Sequence, residues 1–240
     1  MKTLLTIIAC RGCKEYENET ESQVQIIRPD EGENEKDFLA RALKGAKGKY
    51  SVVADRHFLL SDIQSVLNII DKNTADMVCF VGGNAIKTSI LKGLKDYIDP
   101  FSFRILGIVN CKSILKTVYN PLSFSKESAV FSDKEVEGIL CAADGFVKVK
   151  AKLNKEIYTY AFNLLCDKIV LYYLCAMLKI RDKELEAEQL INFDSKLKAE
   201  IVLYLAVQKR FTYADLDKLR EKEFKISWLT KRKFKKVLGK

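Results

Sequence analysis

Several residue types that mark specialised classes of protein are scarce in this chain. It has 3 prolines and 11 glycines in 240 residues, too few for a low-complexity linker or a collagen-like repeat. No apolar run reaches the roughly 18 residues that a membrane-spanning helix needs. The single histidine is His57, and a zinc site needs about four ligands, which argues against a metal site at Cys10-x-x-Cys13.

The composition that is present is that of an ordinary globular domain. Hydrophobic residues make up 48% of the chain and charged residues 30%, a balance that argues against disorder. The 7 cysteines are odd in number and mostly lie in apolar runs, which indicates buried free thiols in a reducing compartment. The apolar stretch from Leu4 to Ala9 is short for a signal peptide and suits a buried strand. We therefore expect a cytoplasmic protein.

Positive charge is concentrated at the C-terminus. Residues 1–150 carry 21 basic and 20 acidic side chains, whereas residues 216–240 carry 10 basic and 3 acidic ones. Residues 224–240 combine Trp228 and Phe234 with a run of lysines and arginine, the pattern of an interfacial helix that binds an anionic membrane surface, here at the inner face of the membrane. A solvated helix face is the alternative. A nucleic-acid partner is disfavoured, because the aromatic and basic interleaving of a binding sheet is missing.

Hydrophobic periodicity predicts alternating strands and helices in the first part of the chain. Strands are predicted at 4–9, 24–27, 50–54, 76–81 and 103–109, and helices at 35–46, 61–71 and 85–96. This alternation implies βαβ units and a mostly parallel sheet with flanking helices. From about residue 154 onward the pattern becomes helix after helix. We therefore expect an α/β domain over 1–153 and a helical region over 154–240 that ends in the basic tail.

Two places in this pattern carry polar residues at a strand end. Asp55 and His57 follow the third strand, where open α/β sheets bind ligands. Their side chains can share a Mn²⁺ or Mg²⁺ ion that also holds a diphosphate, although a turn with a capping Asp is the alternative. Gly82-Gly83 lead into Lys87 at a predicted helix start, which can bind a phosphate; the alternative is an ordinary turn.

The segment around the third strand has a specific pattern. A Gly- and Asn-containing turn precedes a helix rich in Ala and Arg, then Ala46-x-Gly48-x-Tyr50, a strand, and Asp55-Arg56-His57. This order resembles the family 2 glycosyltransferases of the GT-A fold, whose Asp-x-Asp metal motif is replaced here by Asp55-Arg56-His57. The resemblance extends, with lower specificity, over residues 24–165.

The resemblance implies a GT-A-like fold and a glycosyltransferase. Such an enzyme transfers a sugar from a nucleotide-sugar donor to a hydroxyl of a glycan or lipid-linked acceptor, by direct displacement assisted by a divalent metal. It further implies that Asp55 and His57 hold the metal. It places Arg28, Asp30 and Arg41 at the substrate.

The segment Phe131-Ser132-Asp133 resembles the one that carries the family's general base. In inverting members an Asp removes the proton of the acceptor hydroxyl as its oxygen attacks the sugar, and Asp133 is the match. The same residues also indicate a helix start, with Ser132 as the cap and Glu135 completing a capping box. The stretch from Ala142 to Tyr160 resembles the strand and the Tyr-x-Tyr pattern that follow in the family.

A second hypothesis belongs to another class. Only Cys10 to Gln23 separate the first two strands, less than the two βα units with which the family binds its nucleotide. The chain could therefore be a catalytically inactive glycosyltransferase-like subunit that binds a ligand or a protein partner. The presence of Asp55, His57 and Asp133 favours the enzyme.

Overall fold

The computed structural model describes residues 2–10, 22–54, 63–80, 83–116, 131–181 and 187–200. Its strands are β1 (Leu5–Ala9), β2 (Val24–Ile27), β3 (Tyr50–Ala54), β4 (Met77–Phe80), β5 (Gly83–Lys87) and β6 (Ile114–Lys116). Its helices are α1 (Glu35–Gly45), α2 (Ile63–Lys72), α3 (Thr88–Leu91), α4 (Pro100–Val109), α5 (Asp133–Val149), α6 (Lys155–Arg181) and α7 (Ala187–Lys198), with a 3₁₀ turn at Lys150–Lys152.

The six strands form one mixed sheet in the order β2-β1-β3-β5-β4-β6. Strand β1 lies between β2 and β3 and pairs in parallel with both, with Leu5 opposite Val24 on one side and Tyr50 on the other. Strand β5 is antiparallel to both of its neighbours, and β4 and β6 are parallel. Five strands therefore run in one direction and one runs against them, which confirms the predicted α/β class with a mostly parallel sheet.

The sheet separates two apolar layers. Alternate residues of β1 and β3 face opposite sides, because successive side chains of a strand point to opposite faces. Ile7 and Val52 pack toward α2, whereas Ile8 and Val53 belong to the larger cluster that contains α1, α4, α5 and α6. Since every residue of β1, β3 and β4 is buried, these strands read as continuous apolar runs, as expected for strands covered on both faces.

The large helices of the second layer have defined directions. Gly138 of α5 lies against Asp99 at the start of α4, and Gly145 lies against Leu106 near its end, so α4 and α5 run in parallel. Helix α6 runs against both, because Phe146 contacts Tyr158 near the start of α6. The larger apolar cluster spans both sides of residue 153, and the division of the chain into 1–153 and 154–240 stays a prediction.

Two predicted elements are wrong. The stretch 103–109 is not a strand but part of helix α4, which starts with Pro100 and a capping box between Asp99 and Ser102. Its nine buried residues leave no polar face, so its apolar run is indistinguishable from that of a buried strand. The predicted helix 85–96 begins instead with strand β5, whose pairing with both β3 and β4 overrides its local preference.

The family resemblance also fails locally at Ala142. The strand that it implies there is part of α5, which continues to Val149 and whose Ala142, Ala143 and Phe146 are buried in the larger apolar cluster. The predicted strands at 24–27 and 50–54 and the helix starting at 35 are confirmed. The basic tail and the other predictions for 201–240 lie outside the described residues.

Buried polar contacts fix the amino ends of the central strands. Gly48 donates its backbone N–H to Thr6 Oγ1 at 2.9 Å, and Thr88 Oγ1 donates to Gly48 O at 2.6 Å. Ser51 and Thr88 share a hydrogen bond of 2.8 Å. A Cβ at Gly48 would lie 2.5 Å from the backbone nitrogen of Thr6, so only glycine allows this approach. The Ala46-x-Gly48-x-Tyr50 pattern is therefore explained by packing.

We expect Gly48→Ala to lower the free energy of unfolding by about 3 kcal/mol, because backbone and not a flexible side chain blocks the added methyl group. Gly93→Ala is the matched control. Its Cβ would meet only Ile90 O at 3.5 Å, an ordinary contact, and we expect a change within about 1 kcal/mol. Urea unfolding measures both; equal effects would contradict the close approach.

Candidate functional site

The carboxyl ends of β1 and β3 define the place where a ligand is expected. The chain leaves β1 for β2 on one side and then crosses to β3 on the other, so the strand order reverses between β1 and β3. Ligands of open α/β sheets bind in the crevice outside such a switch point. Ala9 and Ala54 are the last paired residues, and Cys10 N donates to Ala54 O at 2.8 Å.

In the sequence, Asp55 directly follows Ala54, the last residue of β3. Asp55 and His57 themselves lie outside the described residues, and the predicted metal site stays a prediction. Across the part of the chain that is described, no group of three or more His, Cys, Asp or Glu side chains is placed to hold a metal ion. The donor set of a carboxylate and an imidazole suits Mn²⁺, and the carboxylate suits Mg²⁺.

The helix directions separate Asp133 from the amino edge of the sheet. Four residues separate the end of α4 from the start of β6, and α6 begins beside that connection, where Asn154 Nδ2 donates to Lys112 O at 2.9 Å. These ends therefore lie at the amino edge of the sheet. Since α4 is about 15 Å long and α5 about 25 Å, their N-termini lie at about these distances from the ends at the amino edge. Asp133 is the first residue of α5.

A small open cleft lies at the start of α5. It is lined by Phe131, Asp133, Val136, Tyr172, Cys175, Ala176, Lys179 and Gln189. The predicted helix start is confirmed, because Ser132 Oγ accepts from the backbone N–H of Glu135 and the Glu135 side chain accepts in return from that of Ser132. The Asp133 carboxylate is exposed at the rim and is free of the capping role, which Ser132 performs.

The cleft is lined by two aromatic rings, those of Phe131 and Tyr172, and by the carboxylate of Asp133. The rings of Phe131 and Tyr172 meet edge to face with centroids 5.4 Å apart. Burial raises the pKa of Tyr172 to about 12, and the negative charge of Asp133 adds to the shift. Lys179 and Gln189 supply a cation and an amide. The cleft thus combines a proton acceptor, apolar ring surface and polar groups that can orient a hydroxyl compound.

The structure brings Arg28 and Asp30, in the turn after β2, close to Arg41 of α1. Arg41 donates to Arg28 O at 2.9 Å, to Glu33 Oε2 at 2.7 Å and to Glu33 Oε1 at 2.9 Å. Asp30 Oδ2 lies 3.4 Å from Arg41 Nη2, and the hydrogen bond with Glu33 raises the pKa of Arg41. These contacts hold the turn between β2 and α1, and a role in substrate binding stays a prediction.

The predicted phosphate-binding helix start is wrong. Lys87 is the last residue of strand β5, and its ammonium pairs with Asp76 Oδ1 at 2.8 Å. The hydroxyl of Thr88 donates a hydrogen bond to Gly48 O, and α3 has only four residues. Since Tyr50 pairs with Lys87, this end of β5 lies at the amino edge, away from the switch point.

Sequence reasoning missed two buried cations that contact one aromatic ring. Arg104 in α4 is 8% exposed and Lys168 in α6 is 3% exposed. The guanidinium carbon of Arg104 and the ammonium of Lys168 lie 5.7 Å and 5.4 Å from the centroid of the same Phe101 ring. The available signal was a charged residue inside an apolar run, as in Phe103-Arg104-Ile105.

Comparison with models of known protein families and with curated proteins finds no match for this chain. Among the residues that the structure describes, no helix combines the length and the apolar character needed to cross a bilayer.

The raised pKa of Tyr172 predicts a pH dependence of stability. An unperturbed tyrosine has a pKa of about 10, so the stabilising contribution is complete below that pH and is lost as the pH rises toward about 12. From about pH 9.5 to about pH 11.5 we expect the free energy of unfolding to fall by about 1–2 kcal/mol more in the wild type than in Tyr172→Phe. Urea unfolding at the two pH values measures this, and an equal decline in both proteins would refute it.

Proposed function

We propose that the protein is a glycosyltransferase that uses a nucleotide-sugar donor and a hydroxyl acceptor. The observation that carries the proposal is the position of the candidate metal ligands and of the candidate base. The switch point of the sheet is followed in sequence by Asp55-x-His57, and the helix that starts with Asp133 begins away from the amino edge. A GT-A-like arrangement would need this convergence of a metal–diphosphate site and a base.

The two groups would have separate tasks. Asp55 and His57 would hold a divalent metal, which neutralises the charge that develops on a leaving diphosphate. Asp133 would accept the proton of the acceptor hydroxyl while its oxygen forms a bond to the anomeric carbon. The bond from that carbon to the diphosphate oxygen breaks, and the electron pair leaves with the nucleoside diphosphate. The donor and the acceptor together supply every atom of the products, so the reaction needs no further reactant.

The cleft supports the assignment of the base. Asp133 occupies the first position of α5, where the helix N-terminus favours a negative charge. Its carboxylate is exposed and Ser132 performs the capping, so Asp133 is available to an acceptor. The rings of Phe131 and Tyr172 beside it offer apolar surface to the face of a sugar.

Calorimetric titration of UDP and GDP, first with Mn²⁺ and then with EDTA, tests the donor site. We expect binding of one of the two nucleotides that requires metal and that Asp55→Ala and His57→Ala each weaken by at least about tenfold. Glu137→Gln, which neutralises an exposed carboxylate in α5, is the control and should bind like the wild type. Failure of the wild-type protein to bind either nucleotide would reject the enzyme and favour the inactive subunit.

The base is tested separately by Asp133→Asn. This variant should bind the nucleotide within about twofold of the wild type, because Asp133 contacts the acceptor and not the donor. Slow release of nucleotide from nucleotide-sugars, with water as acceptor, should fall by about 100-fold or more. Turnover in Asp133→Asn equal to that of the wild type and of Glu137→Gln would exclude Asp133 as the base.

A further inference from the structure

Exposed lysines are concentrated at the amino edge of the sheet, where β1, β3 and β4 begin. The buried polar groups of this edge are satisfied within the protein, whereas these ammonium groups face solvent. Six exposed lysines from separate parts of the chain form what we call the basic face: Lys44, Lys47, Lys72, Lys92, Lys112 and Lys155. Within the described residues no ion pair joins any of them to an acid.

Backbone and side-chain contacts place the first three lysines beside the start of β1. The backbone N–H of Lys47 donates to Gln25 Oε1 at 2.8 Å, and Gln25 pairs with the second residue of β1. Lys44 lies in the last turn of α1, just before this contact. The Lys92 ammonium donates to Ala46 O at 2.9 Å. These lysines, from two segments of the chain, therefore lie at one end of the sheet.

The same edge continues at β4 and β6. The backbone N–H of Lys112 donates to Asp76 Oδ2 at 2.8 Å, and Asp76 directly precedes β4. Asn154 donates to Lys112 O at 2.9 Å, and Lys155 follows Asn154 as the first residue of α6. The basic face therefore extends from the strands around β1 to the far edge of the sheet, a width of about 24 Å for six strands.

The basic face also extends over both sides of the sheet. Lys72 is the last residue of α2, and the Lys49 ammonium just before β3 donates to Ile70 O of that helix at 2.9 Å. Helix α2 packs on one face of the sheet, whereas α1, which carries Lys44, packs on the other. The lysines thus form a broad surface and not a single stripe.

Few acids balance this charge. Residues 44–49, 71–76, 92–93, 110–113 and 150–156, which contain the six lysines, contain three acids. Asp76 pairs with Lys87 at 2.8 Å, which leaves Asp71 and Glu156. At the opposite end of β2, residues 30–37 carry five acids and one lysine. The nearly neutral part of the chain is therefore electrostatically polar, with positive charge at the amino edge.

The chemistry of the basic face favours a planar anionic partner. The segments that form it contain no arginine, the residue that reads phosphates and bases with a fixed fork of donors. Among the residues that the structure describes, no aromatic side chain is exposed for stacking on bases, since the exposed large hydrophobic residue is Ile191. Lysines act as point charges and suit the diffuse negative charge of a lipid surface, and a broad face meets a plane better than it meets the cylinder of a duplex.

We propose that the basic face binds the negatively charged headgroups of a lipid bilayer. The amino edge would lie against the membrane, and the switch point would face away from it. The proposal concerns residues other than the tail at 224–240 and does not rest on the proposed function.

Sedimentation of the full chain with vesicles tests the proposal. We compare phosphatidylcholine alone with phosphatidylcholine that contains about one third phosphatidylserine. Each lysine near an anionic leaflet adds about fivefold to the partition coefficient, so the double variant Lys47→Gln/Lys112→Gln should bind anionic vesicles at least about tenfold more weakly than the wild type. Raising the ionic strength from about 0.1 M to about 0.5 M should release the wild type.

The matched control is Lys36→Gln/Lys134→Gln. These two lysines are exposed in the first turns of α1 and α5 and lie away from the basic face, so the same loss of charge should weaken binding by less than about threefold. Both double variants should unfold within about 2 °C of the wild type, because the substituted side chains are exposed. Equal weakening by the two double variants would show that net charge alone matters and would overturn the proposal.

Other occupants of the basic face give different results. Every variant retains residues 224–240, so binding through that tail alone would leave Lys47→Gln/Lys112→Gln unchanged and would overturn the proposal. Fluorescence anisotropy with a labelled DNA duplex tests a nucleic acid, and duplex binding tighter than vesicle binding would also overturn it. Analytical ultracentrifugation tests a second copy; an assembly of the wild type that Lys47→Gln/Lys112→Gln dissociates would place another protein chain, and not lipid, on this face.

Discussion

The placement of β1 in the middle of the sheet, paired in parallel with β2 and β3, is the constraint on which the rest of the structure depends. Parallel neighbours cannot be joined by a tight turn, so the chain must return across a face of the sheet before each new strand. The segment between β2 and β3 contains α1, which packs on one face of the sheet, and α2 follows β3 and packs on the other. The same geometry creates the switch point between β1 and β3, where open α/β sheets bind their ligands.

The two edges of the sheet have different roles. At the amino edge, hydrogen bonds among Thr6, Gly48, Ser51 and Thr88 satisfy buried polar groups within the protein and leave little for a ligand. The Asp133 carboxylate at the start of α5 is instead exposed, and Ser132 and not Asp133 caps the helix. The Ala46-x-Gly48-x-Tyr50 pattern belongs to the amino edge. This part of the family resemblance therefore concerns how the strands pack.

The local pattern of the sequence determined the elements that have either a strong period or strong end signals. Strands β2 and β3, the start of α1 and the cap at Ser132 could all be predicted from it, because alternation, helical spacing and capping residues act over a few neighbours. It also placed Asp133 at a helix start and Asp55 after a strand. Only the tertiary structure decided that 103–109 is a helix and 83–87 a strand, since short apolar runs suit either state until their neighbours are known. It alone brought Arg104 and Lys168 to one ring, because contacts between residues 64 positions apart in sequence depend on how helices pack and leave no local pattern.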